Sequence, residues 1–547
     1  MAAGCTRRAA RHGTVAAAAI GFLAAMGAEP ASAEALLSTH VPSVVAAHLA
    51  PVVGEPDPGT RLQLDVALPM RDEDALDALL ASIYDPSDPQ YHHYLSVAAF
   101  TERFGPTKPD YAKAAAFFGA SGLHVTALSA NRYMIEVEGT VADIERVFHI
   151  RLNLYKHPTE NRSFIAPDRE PALDLGVKVL HVTGLDDLDI PAPRVIIAPD
   201  GQPAHGTGSG PKGSFIGSDM RAAYYGGTSL TGAGQSLGLM ELKGWTPADI
   251  SLYFSTVGQP LNVPVNGISV DGTPITCTQC NDVEQALDIE YAISMAPGLS
   301  QVQVYVAHSP EAVLNAMASD GTSMQLSTSW GWRRNFATDD PLFREMAAQG
   351  QSFLTASGDD SNLKDSGPWP EEDANLTAVG GTDLVTNGPG GSYKSETGWK
   401  YSAGGPSLDR KILIEPYQLP FINSRNDGST TLRNVPDIAA HADTDCFVCA
   451  GGKCNEGWGG TSFASPMWTG FLALVNQQAA ANGQPPAGFL NPTLYGLSSK
   501  KKTYKTILHD VIGGKSGLYT AVRGYDLVTG LGSENGQGLI DALAGSP

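Results

Sequence analysis

A stretch rich in proline and glycine, residues 191–213, divides this chain of 547 residues into two parts. It has few large apolar side chains, so it buries too little surface to form a folded domain of its own. Exposed segments of this kind are also common sites of proteolytic cleavage. The sequence therefore predicts an exposed linker that is cut during maturation, with a folded domain on either side.

The segment before the linker, residues 34–190, mixes strand-like and helical patterns. Residues 62–68 alternate apolar and polar side chains, as a half-buried strand does, and residues 74–83 carry apolar side chains at helical spacing. Residues 214–547 alternate apolar strands with helices, which is typical of a parallel sheet covered by helices. The predicted fold class is α/β, a parallel-sheet domain preceded by an α+β domain with an antiparallel sheet.

Residues 1–33 have the pattern of a signal peptide. Three arginines precede an apolar run over residues 15–28, and Ala31-Ser32-Ala33 provides small side chains for cleavage after Ala33. A run of about 14 residues is short for a membrane span, and no longer apolar run follows it. We therefore expect a secreted, extracellular protein without membrane association after signal removal, with the periplasm as the alternative location.

The charge balance limits the choice of partners. Asp and Glu number 57 against 36 Lys and Arg, which gives a formal net charge of −21. A protein that follows nucleic-acid phosphates needs basic surface, so we expect no nucleic-acid partner. An acidic chain of this kind suits an acid environment, where protonation of carboxylates brings the charge toward zero.

Five cysteines follow the predicted signal peptide: Cys277, Cys280, Cys446, Cys449 and Cys454. Two C-x-x-C pairs are compatible with a zinc site. In an exported chain, disulfides are the more common use of such pairs, and we expect local ones. Because five is odd, one thiol is left over, and the spacing leaves the pairing open.

A candidate nucleophile lies in the run Gly459-Gly-Thr-Ser462-Phe-Ala-Ser-Pro466, which precedes an apolar helical pattern. A serine in the first turn of a buried helix lies among free N–H groups, where the helix dipole stabilises negative charge. This environment suits a nucleophile whose attack creates an oxyanion. The alternative is an ordinary helix cap, because Ser and Thr are favoured at that position.

Two carboxylates could serve as its base. Residues 281–296 read as one helix, in which Glu284 and Asp288 are four residues apart and share a face. Like charges at this spacing destabilise a helix unless they share a proton or serve chemistry. The alternative is a capping box, with Asn281 as the cap and Glu284 as its partner.

Together these motifs resemble the sedolisins, or serine-carboxyl peptidases. The catalytic resemblance rests on Glu284-x-x-x-Asp288, Gly358-Asp359 and Gly459-Gly-Thr-Ser462-x-x-x-Pro466. The resemblance to a pro-kumamolisin activation domain rests on residues 60–155, with Pro86-Ser-Asp-Pro89-x-Tyr-His-His-Tyr-Leu95 and Phe100-x-x-x-Phe104-Gly105. It covers nearly all of the chain after the signal peptide.

The resemblance implies a subtilisin-like catalytic domain and a role for each matching residue. Ser462 would be the nucleophile, Glu284 the general base and Asp288 the carboxylate that orients Glu284. Asp359 would be the aspartate of the oxyanion hole. Two further residues match outer members of the hydrogen-bond chain: Glu241 and Trp330.

These groups predict a peptidase that works in acid. A carboxylate base with an ordinary pKa of about 4.3 accepts protons usefully only at low pH unless burial raises that pKa. Asp359 must be protonated to donate a hydrogen bond to an oxyanion. We expect both requirements to fail as the pH rises toward neutral.

The resemblance also implies one structural calcium ion. Its ligands would be the side chains of Asp510 and Asp526 and the carbonyls of Val511, Val522 and Gly524, with Gly524-Tyr-Asp526 and Thr529-Gly-Leu-Gly532 as the matching motifs. Two carboxylates with backbone carbonyls suit a hard cation that prefers oxygen. Val522 departs from the glycine often found in the family, and two Asp-bearing turns without a metal are the alternative.

We therefore expect a secreted precursor of an acid serine-carboxyl endopeptidase that acts on proteins or peptides through an acyl-enzyme. Residues 34–190 would be the prodomain, which acts as inhibitor and folding aid, and residues 214–547 would form a monomeric peptidase. A tripeptidyl-peptidase of the same family is one alternative, because its catalytic groups are the same. Another is a non-catalytic secreted binding protein that uses the cysteines to hold zinc.

Overall fold

The computed structural model describes residues 35–198, 206–278, 280–333, 335–364 and 369–545. The predicted signal peptide lies outside the described residues, and so does the centre of the predicted linker, residues 199–205. Among the described helices, none has the combination of length and apolar character that crossing a bilayer requires.

The N-terminal part is an α+β domain with antiparallel sheets. Its elements are strands β1 (Ala35–Leu36), β2 (Val52–Gly54), β3 (Arg61–Ala67), β4 (His124–Leu128), β5 (Met134–Thr140), β6 (Leu152–Lys156), β7 (Ser163–Pro167), β8 (Ala172–Leu173) and β9 (His181–Thr183), and helices α1 (Ser43–Ala46), α2 (Glu73–Ile83), α3 (Val97–Phe104), α4 (Lys108–Ala120) and α5 (Val141–Phe148). The larger sheet has the order β4-β5-β3-β9, and a smaller sheet has the order β2-β6-β7. Inward side chains of the larger sheet form one core with Phe118, Ile144 and Phe148 of α4 and α5.

Two short strands follow at the start of the predicted linker, β10 (Ala192–Pro193) and β11 (Ile196–Ile197). The C-terminal part then has strands β12 (Ser236–Glu241), β13 (Val265–Ser269), β14 (Gln301–Val306), β15 (Gln325–Thr328), β16 (Trp330–Gly331), β17 (Ser352–Ala356), β18 (Thr377–Thr386), β19 (Tyr393–Gly398), β20 (Gly405–Pro406), β21 (Asn434–Val435), β22 (Ile438–His441), β23 (Cys446–Ala450), β24 (Lys453–Gly459), β25 (Leu508–His509), β26 (Lys515–Ser516), β27 (Tyr519–Thr520) and β28 (Ser533–Glu534). Its helices are α6 (Gly217–Tyr224), α7 (Pro247–Thr256), α8 (Val283–Met295), α9 (Pro310–Asp320), α10 (Phe336–Ala348), α11 (Thr461–Ala481), α12 (Leu490–Ser498), α13 (Lys501–Ile507) and α14 (Gly536–Leu543).

An eight-stranded sheet organises this part, in the order β13-β14-β12-β15-β17-β18-β19, with β22 paired to β18. All of these pairings are parallel except that of β18 with β19. In a parallel sheet the carboxyl ends of the strands meet at one edge, which is where side chains from different strands can share a site. The structure confirms the predicted fold class.

Helices α8 and α11 pack against each other, and α11 also covers the centre of the sheet. Every residue from Glu284 to Met295 is buried, and so is every residue from Thr461 to Asn476. A helix that is enclosed on all sides belongs to the core, where carboxylates are costly unless they are paired or functional. The acidic residues of α8 therefore lie in an unusual position.

The N-terminal domain packs onto the C-terminal part through a shared apolar core and several polar contacts. Met70, Phe100 and Tyr133 lie in one cluster with Phe343 and Met346. The Tyr133 hydroxyl donates to the carbonyl of Thr338 at 2.8 Å, and Asn131 donates to Glu345 at 2.9 Å. Contacts of this kind hold the two parts together.

The predicted linker is only partly exposed. Strand β10 pairs antiparallel with β16, and β11 pairs antiparallel with β24. Arg194, between the two short strands, is 7% exposed. The prediction of an exposed segment is therefore wrong at Arg194 and Ala198, which are buried, whereas Ala192, Pro193 and Ile197 are exposed. A segment without a core of its own can still be partly buried as an added strand on sheet edges.

Candidate active site

Ser462 is the second residue of α11, the longest helix of the described structure, and it is fully buried. The residue before the helix, Gly460, has φ +136°, a backbone conformation that side chains disfavour. The Ser462 hydroxyl donates to the carbonyl oxygen of Arg194, and the Ser462 N–H donates to the same oxygen at 3.1 Å. This serine is therefore not acting as the helix cap, and its hydroxyl faces a peptide carbonyl.

Glu284 and Asp288 project from the first half of α8, and both are buried. The helix begins at Val283 and Asp282 takes the cap position, without a capping hydrogen bond from its side chain. The alternative of a capping box between Asn281 and Glu284 is thus wrong. Among the described residues, the two Glu284 oxygens have no hydrogen-bond partner, which leaves this carboxylate available for proton transfer.

Burial shifts the pKa of both carboxylates upward. It raises the pKa of Asp288 to about 8, and it raises the pKa of Glu284 well above its ordinary value, with the charge of Asp288 as the next cause. The nearby hydroxyls of Ser462 and Ser329, which donate in this structure to Arg194 and Asp288, act on the pKa of Glu284 in the opposite direction. Glu284 therefore lies beside the candidate nucleophile.

Glu241 and Trp330 extend this cluster on the side of the sheet. Glu241 ends β12, and its Oε2 accepts from Trp330 Nε1 at 2.9 Å. Burial, followed by the charge of Asp288, raises the pKa of Glu241 well above its ordinary value. Three carboxyl groups thus share one buried cluster in which they cannot all be ionised, so the cluster holds protons and titrates as a unit.

Ser329 is a member of this site that the sequence analysis missed. Its hydroxyl donates to Asp288 Oδ1 at 2.7 Å and lies 3.3 Å from the carbonyl oxygen of Ser462. Its own carbonyl accepts from the Arg194 N–H at 2.8 Å. The signal in the sequence was its position next to Trp330 at the end of a strand.

Asp359 lies close to Gly460 and Thr461, near the Arg194 carbonyl. Its Oδ1 accepts from the N–H and the hydroxyl of Thr461, both at 2.8 Å. Its Oδ2 is buried and has no partner among the described residues. A Cβ at Gly460 would lie 2.6 Å from this Oδ2 and 2.4 Å from the Arg194 oxygen, so both atoms border the same small space.

Burial raises the pKa of Asp359 to about 7, although the hydrogen bonds from Thr461 act in the opposite direction. Below that pH the carboxyl group is mostly protonated, and Oδ2–H can donate. The Ser462 N–H donates to the Arg194 carbonyl oxygen, and Asp359 Oδ2 borders the same small space. A backbone N–H and a protonated carboxyl group near one carbonyl oxygen are donors of the kind that can stabilise an oxyanion.

The predicted calcium ligands come together near the C terminus. Asp510 Oδ1 accepts from the Gly524 N–H at 2.8 Å, and Asp526 Oδ2 accepts from the Val522 N–H at 3.0 Å. Asp526 Oδ1 also accepts from the N–H groups of Val528 and Thr529. The two carboxylates thus border one loop, and this oxygen-rich donor set fits a hard cation such as calcium.

The cysteines form two bonded pairs, Cys277 with Cys280 and Cys449 with Cys454. The second pair joins neighbouring positions on β23 and β24, just before Ser462. Cys446 is the remaining thiol; it is buried, and burial raises its pKa. With four thiols consumed in disulfides, a zinc site made from both C-x-x-C pairs is not favoured.

Two family models match the chain. The pro-kumamolisin activation domain matches residues 50–188, and the subtilase peptidase family matches residues 293–504. The first match falls within the N-terminal domain and the second covers most of the sheet and α11.

Curated relatives match over most of their length. Kumamolisin from Bacillus sp. is 29% identical over 502 residues, which cover 83% of this chain and 87% of that protein. Sedolisin from Pseudomonas sp. is 26% identical and covers 94% of this chain and 93% of that protein, and tripeptidyl-peptidase sed5 from Aspergillus fumigatus is 25% identical, with 82% and 87% covered. A solved structure of Pseudomonas sedolisin with two molecules of pseudo-iodotyrostatin has a TM-score of 0.52 at 26% identity, over 59% of this chain and 96% of that one.

Proposed function

This chain belongs to the sedolisin family of serine-carboxyl peptidases and carries a pro-kumamolisin activation domain, and we propose that it is the secreted precursor of an acid-active endopeptidase. Residues 1–33 would direct export, and the N-terminal domain would keep the peptidase silent until acid triggers self-cleavage. The observation that carries the proposal is a peptide carbonyl that receives both hydrogen bonds of Ser462 and borders the same small space as Asp359, with the buried carboxyl group of Glu284 near the serine.

Peptide-bond cleavage would begin with attack of the Ser462 hydroxyl on the carbonyl carbon. Glu284 takes the proton of the hydroxyl, and the Ser462 N–H and protonated Asp359 hold the oxyanion. Collapse of the tetrahedral species expels the amine, which receives its proton from Glu284, and leaves an acyl-enzyme. Water, activated by Glu284, then releases the acyl group.

The other members of the cluster would hold Glu284 in position. Asp288 lies on the same face of α8 as Glu284 and is fixed by the hydroxyl of Ser329. Glu241 contributes to the shared protons of the cluster and is fixed by Trp330. Because the three carboxyl groups are coupled, a change at any of them alters the proton affinity of Glu284.

Endopeptidase action is favoured over tripeptidyl action by the path of the linker. The chain enters the cleft from the prodomain, pairs with β16, passes Ser462 and continues along β24. The cleft therefore holds polypeptide on both sides of the serine, with more than three residues before it. A tripeptidyl-peptidase needs its substrate to end after three residues on that side.

Ion pairs also join the prodomain to the peptidase part. Arg333 pairs with Asp186 through two hydrogen bonds of 2.7 Å, and Arg344 contacts Asp77 and lies 3.4 Å from Glu73. Burial raises the pKa of Asp186. A carboxyl group whose pKa is raised in the docked state binds its proton more tightly there than in the released state, so protonation of Asp186 does not by itself drive release of the prodomain.

The proposed function predicts acid-triggered self-processing. A precursor purified at neutral pH and shifted to about pH 4 with calcium should lose its N-terminal domain and then digest an unfolded protein. The activity of the product should decline as the pH rises through about 7, because the donor form of Asp359 is lost there. Mass spectrometry and a pH profile of substrate cleavage are the measurements.

Concentration provides the control for this experiment. Self-cleavage within one molecule follows first-order kinetics, so the rate should stay the same when the precursor is diluted tenfold. A folded precursor that stays whole and inert in acid at every concentration would contradict the proposed function.

We propose that one calcium ion stabilises the peptidase part through Asp510 and Asp526, with the carbonyls of Val511, Val522 and Gly524. At a calcium concentration 100 times the Kd, an ion that binds only the folded state adds about 2.7 kcal/mol of stability. For a part of about 330 residues, chelation should lower the Tm by about 4 °C. Calorimetry with and without chelator measures this change.

The variant Asp526→Asn tests the assignment of the calcium ligands. It should lose the gain in Tm on calcium addition, whereas Asp541→Asn, on the exposed side of α14, should keep it. An equal calcium response in both variants would place the ion elsewhere.

A further inference from the structure

Residues 192–197 run past Ser462 and make backbone contacts of the kind that a bound substrate makes. On one side of Ser462, Ala192 pairs with Gly331, and the Arg194 N–H donates to the carbonyl of Ser329 at 2.8 Å. On the other side, Ile196 pairs with Gly459. The carbonyl that receives both hydrogen bonds of Ser462 is that of Arg194. The bond presented for attack is therefore Arg194–Val195.

The Arg194 side chain enters an enclosed acidic pocket. The residue is 7% exposed, and its Nη2 lies 3.8 Å from Oε2 of Glu371, which is fully buried. The guanidinium crosses the backbone of Gly331, where an added Cβ would lie 2.3 Å from Nη2 and 2.6 Å from Cζ. The pocket thus combines a long slot, opened by the absence of a side chain at residue 331, with a carboxylate at its inner end.

We propose that Arg194–Val195 is the maturation bond, and that Glu371 makes the mature cleft select arginine on the acyl side of the bond it cleaves. The inference rests on the proposed peptidase function and adds its substrate class. A guanidinium in this pocket lies within ion-pair distance of the Glu371 carboxylate, whereas an apolar side chain in the same place cannot form that ion pair. The pocket therefore favours arginine over uncharged side chains.

The maturation step balances as one acyl transfer followed by hydrolysis. The C–N bond between Arg194 and Val195 breaks while an ester forms between Ser462 Oγ and the Arg194 carbonyl carbon. The serine proton passes through Glu284 to the nitrogen of Val195, which becomes the new N terminus. Water then hydrolyses the ester, which leaves a carboxylate on Arg194 and restores the Ser462 hydroxyl.

The first test locates the bond in the acid-processed precursor. N-terminal sequencing of the product should begin Val-Ile-Ile-Ala at residue 195, and the mass of the released fragment should end at Arg194. The variant Arg194→Gln should be processed about 100-fold more slowly at this bond, since a buried charged pair is broken. The double variant Arg194→Gln with Glu371→Gln should be processed far faster than the product of the two single-variant losses predicts, because both substitutions remove the same ion pair.

The second test measures how strongly the mature enzyme prefers arginine over leucine on the acyl side of the cleaved bond. Peptides with the sequence of residues 191–198 carry arginine or leucine at the position of Arg194, and the ratio of their kcat/KM values is compared. The variant Glu371→Gln should reduce that ratio about 100-fold. Gly331→Ala should also reduce it, because the new methyl group occupies the place of the guanidinium.

Asp373→Asn is the matched control. This buried residue lies in the same loop, and its Oδ1 accepts from the Asn375 N–H at 2.8 Å, a bond that asparagine can keep. Burial raises the pKa of Asp373 well above its ordinary value, so the change removes little charge at working pH. The arginine-to-leucine ratio of this variant should match that of the unmodified enzyme.

Two results would overturn the inference, and they differ in what they say of the peptidase itself. Processing within residues 199–213, with a ratio that Glu371→Gln leaves unchanged, would refute the maturation bond and the pocket but leave the peptidase in place. A folded precursor that neither shortens nor cleaves any peptide would refute the proposed function as well. A product that starts at Val195, together with an arginine-to-leucine ratio that falls with Glu371→Gln, would support the inferred maturation bond and pocket.

Discussion

A precursor with Ser462 replaced by alanine is expected to keep its full length in acid and to leave an unfolded protein intact. The hydroxyl is the group that bonds to the carbon of the Arg194 carbonyl, and alanine has no atom that can replace it. In serine peptidases, loss of the nucleophile lowers kcat on the order of 10⁶-fold. Intact mass and substrate digestion, followed over days at about pH 4, measure the effect.

The matched control for this variant is Ser465→Ala. Ser465 lies in the same buried turn of α11, but its hydroxyl bonds to Ser327 at 2.9 Å, away from the Arg194 carbonyl. This variant should process itself, whereas Ser462→Ala should not. If a folded Ser462→Ala precursor shortened at the normal rate after dilution, the nucleophile would be another residue.

Added mature enzyme separates a folding defect from a catalytic one. The Ser462→Ala precursor keeps the prodomain contacts, so it should melt cooperatively, and a trace of active enzyme should cut it in acid once the linker leaves the cleft. Failure to fold would appear as a lost transition in calorimetry, before any question of catalysis arises.

The order of elements was predictable from sequence because the patterns that define them are local. The alternation at residues 62–68 and the helical spacing at 74–83 agree with β3 and α2 to within one residue at each end. The order of strands in the eight-stranded sheet was not predictable in this way. That order depends on pairings between segments far apart in the chain, which no local pattern encodes.

The burial of the linker was missed for the same reason. Composition correctly indicates that residues 191–213 cannot form a core, but it does not reveal that β16 and β24 offer free edges nearby. Arg194 and Ser462 are 268 residues apart in sequence, and their contact exists only in the folded chain. The pocket residue Glu371 also gave no signal, because the acidic run Glu371-Glu372-Asp373 resembles a solvent-exposed loop.

The candidate catalytic groups were visible because their spacing reflects geometry within one helix or turn. Glu284 and Asp288 share a face of α8, and Ser462 follows a glycine pair at the start of α11. Ser329 was harder to find, because its role depends on meeting Asp288 and the linker at a strand end. Its neighbour Trp330 was identified only through the family resemblance.

Replacing Glu284 with glutamine is expected to lower kcat on the order of 10⁶-fold, the loss typical when the general base of a serine nucleophile is removed. Glutamine has nearly the same shape but cannot take the proton of Ser462. Since burial already favours the uncharged form of Glu284, the variant should fold at least as well as the parent chain. Single-turnover acylation of an arginine-ester substrate, with calorimetry alongside, measures both properties.

Glu290→Gln is the control for this change. Glu290 lies on the same helix, is fully buried, and accepts from the Cys449 N–H at 3.2 Å, away from Ser462. Burial raises its pKa well above the ordinary value, so it is already neutral at working pH and glutamine should preserve the rate. A Glu284→Gln enzyme within tenfold of the parent, with Glu290→Gln equally active, would show that the proton goes elsewhere.

The pH profile of the Glu284→Gln variant then separates the two carboxyl roles. In the parent enzyme, activity rises with pH as the coupled cluster of Glu284, Asp288 and Glu241 loses a proton, because only the charged base accepts one from Ser462. It falls as the pH passes about 7, where Asp359 loses the proton that it donates. The residual activity of the variant should lose the rise and keep the fall, since Asp359 is unchanged. If the activity of the Glu284→Gln variant still increased with pH on the acid side of the profile, that increase would have to come from prodomain release or from another titrating group.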